Sequence, residues 1–110
     1  MARRSRKEQS AHDRAVRAEA ERLKRIGYKV RADLLGYEKP KPIGKHRRRP
    51  DIEATKRGSR IIVEVETPST ATSHRDQHET FRRSASHRRG TKFILKIVRD
   101  VKQGKRRRRR

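Results

Sequence analysis

Hydrophobic positions along the chain follow two rhythms. His12, Val16, Glu19, Leu23 and Ile26 are spaced 4-3-4-3, which puts them on one face of a helix and Glu19 in the middle of the side that should meet a core. Ser10, with Asp13 three residues on, has capping-box spacing and predicts the start of this helix, and Gly27 predicts its end. YKVRADLL then reads as a first strand containing Val30, with imperfect alternation. DIEAT and RIIVEVE, joined by the glycine-containing turn KRGS, read as two more strands. In RIIVEVE, Ile61, Val63 and Val65 point one way, while Ile62, Glu64 and Glu66 point the other. Pro68 ends this strand. Ser73 and Asp76 repeat the capping-box spacing and predict a second helix from about residues 70–73 to Arg88, with Gly90 just beyond. Its face His74, His78, Phe81, Ala85 and Arg88 is only weakly apolar, and TKFILKIV supplies a last strand. The order predicts an α/β fold with an αβββαβ core, a small mixed sheet flanked by two helices.

Between the first two strands, GYEKPKPIGKHRRRP holds three prolines and two glycines, so no regular element is expected there. Six of its fifteen residues are Lys or Arg, which marks it as a phosphate-facing or mobile loop. The layout is therefore a flexible basic arm over 1–9, one α/β domain over 10–101 and an Arg-rich tail over 102–110. With 28% hydrophobic residues the core is small, so a homodimer or a bound polyanion is a candidate source of added stability.

Thirty-five Lys and Arg oppose thirteen Asp and Glu, a formal charge of +22. Such a field steers a chain toward polyphosphate and binds it with strong salt dependence. No segment joins this charge to a continuous apolar face, so no membrane partner is expected, and nucleic acid is the expected one. The phosphate-contacting candidates are Arg3, Arg4, Arg6 and Lys7 in the arm, and Lys45, Arg47, Arg48 and Arg49 in the loop. Arg75 and Arg82 extend them on the second helix, and Arg106, Arg107, Arg108, Arg109 and Arg110 in the tail. The chain has no cysteine, which excludes disulfides and thiolate zinc sites. Neither a signal peptide nor an apolar span is found, and the expected location is intracellular, cytoplasmic or nucleoid-associated.

Against this excess, Asp51, Glu64 and Glu66 stand on neighbouring strands. Carboxylates so fixed can hold one or two Mg²⁺ or Mn²⁺ ions, which activate water and bind phosphate oxygens. The backbone carbonyl of Val65 could complete the coordination, and Glu19 could reach the same place if its helix crosses there. The competing structural reading has Glu64 and Glu66 paired with Arg or Lys across strands.

The αβββαβ order, Pro50-Asp51 entering the second strand, Glu64-Val65-Glu66 in the third and Gln77 early in the next helix resemble the PD-(D/E)XK nuclease superfamily. The resemblance covers roughly residues 10–98 and rests on short, degenerate motifs. It implies a metal-dependent endonuclease acting on DNA, with Asp51 and Glu64 as metal-binding acids. Glu19 matches the acid that many members present from the first helix, and Gln77 the polar residue some place after the third strand. At the third signature position most members have Lys; here it is Glu66, so water activation falls to the metal or to Glu66 itself.

His74 and His78 are four apart, a spacing able to ligate a transition metal, but His-Arg-Asp-Gln-His is not the HExxH pattern. An ordinary role, packing beside Phe81 or contacting phosphate, is the favoured expectation for both. KPIGKH lacks the glycine spacing and hydroxyl residue of a phosphate loop. The competing functions are a non-catalytic structural RNA-binding protein of a ribonucleoprotein such as the ribosome, and a DNA-binding protein descended from a nuclease.

Overall fold

The computed structural model describes residues 4–98. Helix α1 spans Arg6–Arg25 and starts earlier than predicted. Its N-cap is Ser5, whose hydroxyl accepts from the Glu8 N–H at 3.1 Å, while the Glu8 carboxylate accepts from the Ser5 N–H at 3.2 Å. A serine with Glu three residues on satisfies two otherwise unpaired N–H groups, and this outcompetes the Ser10–Asp13 pair inside the helix. Residues 6–9 are therefore helical rather than part of an arm.

Strand β1 is only Lys29–Ala32. The Asp33 N–H goes to the Asp51 carbonyl and the chain turns at Leu34–Tyr37, so the Leu residues of YKVRADLL lie outside the strand. Strands β2 (Ile52–Lys56) and β3 (Ser59–Glu66) form a hairpin with Arg57 and Gly58 at its tip, both at positive φ (45° and 88°). This is the backbone a two-residue hairpin demands, and glycine adopts it without strain. Helix α2 (Arg75–Ser86) then crosses over to β4 (Thr91–Ile97), which runs parallel to β3. The sheet order is β1-β2-β3-β4, with the first two pairings antiparallel, so the sheet is mixed as expected.

The second capping box does not form. His74 is the N-cap of α2 with no side-chain cap, and the Ser73 hydroxyl instead donates to the Thr70 carbonyl at 3.2 Å. The helix also stops at Ser86, two residues short of Arg88.

Strand β3 is covered on both faces. On one, Val63 and Val65 meet Val16, Ala20 and Leu23 of α1 together with Ile52 and Ala54 of β2. On the other, Ile62 packs with Ile43, Phe81 and Phe93. That second core is small, and beyond Ile62 the same face of β3 presents Glu64 and Glu66 to the beginning of α2. Two acids thereby become buried side chains rather than solvated ones.

Candidate metal centre and basic surround

Glu66 is fully buried and receives four side chains. Thr70 Oγ1 donates at 2.6 Å, His78 Nε2 and His74 Nδ1 each approach Oε2 at 2.8 Å, and Arg4 Nη2 lies 3.0 Å from Oε1. Burial would raise its pKa, but the hydrogen bonds from Thr70, His78 and His74 together hold it below the usual carboxylate value.

Glu64 is buried with neutral donors only, among the described residues: the Asp51 backbone N–H at 3.2 Å and the Gln77 side-chain amide. Desolvation, then the charges of Asp51 and Glu66, push its pKa up to about 9. Asp51 sits just ahead of β2, and its Oδ2 accepts from the Val65 N–H at 2.8 Å and from His12 Nε2 at 3.2 Å. Burial lowers the His12 pKa, yet the carboxylates of Asp51 and Asp13 outweigh it and leave this imidazole above its ordinary value.

Glu64, Glu66 and His78 each offer one ligand atom, and these atoms lie within 4.8 Å of one another. Asp51 adjoins this group through Glu64. The donor set fits a divalent cation: two carboxylates and an imidazole converge, and among the described residues Glu64 has no positive partner to offset its neighbours' charge.

Of the residues expected at the site, Asp51, Glu64, Glu66 and Gln77 come together. Glu19 does not join them. Arg22 and Lys96 hold it, at 2.7 and 3.2 Å, and Lys96 is in register with Val65, so the Glu19 carboxylate lies on the α1 side of the sheet. The Arg22 hydrogen bond, then Lys96, lowers its pKa despite burial. From α1 it is His12, two turns earlier on the same face, that reaches the acids. The Val65 carbonyl accepts from Arg4 Nη2 at 3.3 Å, so it already has a partner.

His78 was expected to pack beside Phe81 or to contact phosphate. It lies beside an aromatic ring, Phe93 at 6.4 Å between centroids, and its Nε2 meets Glu66 Oε2 at 2.8 Å. The i, i+4 spacing of His74 and His78 was the available signal. His12 was visible only as an inward position, and nothing in the sequence marked Arg4 or Thr70 as partners of Glu66.

The expected phosphate contacts divide. Arg6, Lys7, Lys45, Arg47 and Arg75 are exposed. Arg48 donates to Thr80 Oγ1 at 3.2 Å, Arg49 to the Pro40 carbonyl at 2.8 Å, and Arg82 lies 5.3 Å over the Phe93 ring, so these three also have structural partners. Arg4 points at Glu66 and is not a free phosphate contact. Arg3 and Arg106 to Arg110 lie outside the described residues, as does the tail over 102–110. Among the described residues no helix is long and apolar enough to cross a membrane.

No protein-family model matches this chain, and no curated protein shows significant similarity to it.

Proposed function

We propose that this chain is a metal-dependent endonuclease that cleaves phosphodiester bonds in nucleic acid, with DNA as the favoured substrate and Mg²⁺ or Mn²⁺ as the metal. One observation carries the reading: Glu64, buried beside Asp51 and Glu66, has only neutral hydrogen-bond donors among the described residues in a protein of formal charge +22. A negative cluster in a chain built to attract phosphate repels its own ligand unless a cation lies between them.

Glu64, Glu66 and His78 would hold the ion, with Asp51 beside them. A divalent cation in such a position supplies Lewis-acid polarisation of a phosphate oxygen and lowers the pKa of bound water. The chain's own groups set the geometry. The Val65 N–H and His12 fix Asp51, Gln77 fixes Glu64, and Arg4 sets a positive charge against Glu66, which stands where the PD-(D/E)XK pattern has lysine. His12 Nε2 holds a proton against Asp51 Oδ2.

A second reading, a nucleic-acid-binding protein descended from a nuclease, is favoured by Glu66 itself. Four protein donors around one carboxylate are also what a purely structural acid would gather.

The test is incubation of the purified chain with branched, linear and single-stranded DNA and with RNA, in Mg²⁺, Mn²⁺ or chelator. Cleavage that disappears with chelator and in Asp51→Asn or Glu64→Gln supports the enzyme. Tight binding with no turnover under any condition supports the second reading.

A further inference from the structure

Among the described residues, the one buried side-chain nitrogen or oxygen without a hydrogen-bond partner is Nη1 of Arg60. The same guanidinium gives its Nε to Glu53 at 2.8 Å, so Glu53 holds the arginine in place while one donor stays unmet. A buried donor without an acceptor is unfavourable, and a charged one more so. Arg60 lines a cavity of about 340 Å³ between the 41–44 segment and the end of α2, with Lys41 and Arg88. Three cations there face one acid, Glu53, which is already engaged.

This cavity lies on a continuous path. It shares Gly44 and Ser84 with a groove of about 710 Å³ between the loop and α2, lined by the cations Lys45, Arg48 and Arg83 and by the acids Asp76 and Glu79. The near end of that groove is Asp76, whose neighbour Gln77 donates to Glu64. At its far end the cavity shares Arg60 and Arg88 with a basic hollow of about 790 Å³ at the β2–β3 hairpin, which adds Lys56, Arg57 and Arg89. Arg60 and Glu64 are four residues apart on β3 and share a face, about 13 Å at the rise of a strand.

We infer that Arg60, with Arg88 and Lys41, is a phosphate-binding subsite for the nucleic-acid backbone, placed about 13 Å along β3 from Glu64 of the metal centre. The inference rests on the nucleic-acid partner of the proposed function, but not on catalysis. Arg60 is the positioned element, since Glu53 orients it and leaves Nη1 without a partner, whereas Arg88 and Lys41 add charge. Arginine suits the role because its planar fork stays charged and donates in fixed directions.

The test measures binding of twelve-nucleotide oligothymidylate and oligouridylate by fluorescence anisotropy across a salt series, with chelator present so that nothing is cut. Arg88→Gln, Arg60→Met and the control Arg14→Gln, on the exposed side of α1, are compared with the parent chain, each checked for folding by circular dichroism. The expected result is several-fold weaker binding for Arg60→Met and Arg88→Gln, with the log–log salt slope smaller by about 0.7 for each lost contact, and an unchanged slope for Arg14→Gln. If Arg60→Met does not fold, Arg88→Gln decides. An unchanged slope in folded Arg88→Gln, an equal loss in Arg14→Gln, or no binding by the parent chain overturns the subsite. A reduced slope in a protein that never cleaves rejects the nuclease and leaves the subsite standing.

Discussion

His78 Nε2 stands 2.8 Å from Glu66 Oε2 beneath the first turns of α2, with both side chains buried. An acid that would otherwise repel its neighbour Glu64 is thereby tied to a group that can itself ligate a metal. A nitrogen in the donor set shifts preference from Mg²⁺ toward Mn²⁺ and later transition metals. His78→Gln, which keeps a polar side chain but loses the imidazole, is expected to weaken Mn²⁺ binding about ten-fold or more while changing Mg²⁺ binding less. Titration followed by electron paramagnetic resonance, with Mg²⁺ as competitor, measures both. Equal losses for the two ions would place His78 outside the coordination sphere.

Stability of the metal-free protein should peak in mild acid. Glu64 rises from 4.5 to about 9 on folding, so the folded chain holds a proton that the unfolded chain has released. The stability this gives is complete below pH 4.5 and is lost as the pH climbs toward 9. His12, raised above 6.5, contributes below that value and fades as the pH passes its folded value. Glu66 works the other way: its pKa lies below 4.5, so its contribution is present above 4.5 and is lost as the pH falls through the folded value. Thermal denaturation in chelator should therefore give the highest Tm between pH 4.5 and 6.5, and the fall toward pH 9 should shrink in Glu64→Gln. A Tm that rises steadily to pH 9 would contradict the burial of an unpaired Glu64.

Arg4 is expected to behave as a structural residue. Its guanidinium touches Glu66, the Val65 carbonyl and Thr67 Oγ1, and its side chain is only 15% exposed. Arg4→Met should destabilise the fold by about 1–3 kcal/mol in urea denaturation, since a buried carboxylate loses a charged donor. A freely mobile arm residue at this position would leave the midpoint unchanged.

Glu19 should matter for packing and not for metal. Its partners Arg22 and Lys96 are each about half exposed (51%), which limits what the ion pairs contribute. Glu19→Gln is expected to cost roughly 1 kcal/mol of stability and to leave Mn²⁺ affinity unaltered. A drop in metal affinity would return Glu19 to the site that the resemblance to PD-(D/E)XK nucleases implies for it.

The element order, the alternation of Ile62, Glu64 and Glu66, the glycine turn at the hairpin and the position of Gln77 were all legible in the sequence. Each depends on residues a few positions apart, through periods of about two and 3.6 or through local turn chemistry. Helix starts were read less well. Two capping-box spacings, Ser10–Asp13 and Ser73–Asp76, gave way to Ser5–Glu8 and to an uncapped His74, because a cap competes with every other partner its side chain can reach.

Only tertiary structure decided which inward positions meet. Periodicity put His12 and Glu19 on one face of α1 without telling where that face crosses the sheet; the crossing brought His12 to Asp51 and left Glu19 to Lys96. The contacts that define the candidate site join residues far apart in the chain, such as Arg4 with Glu66 and His12 with Asp51. A period reports the direction a side chain faces. Its partner depends on how one element docks on another, and that is settled when all the buried surfaces pack together.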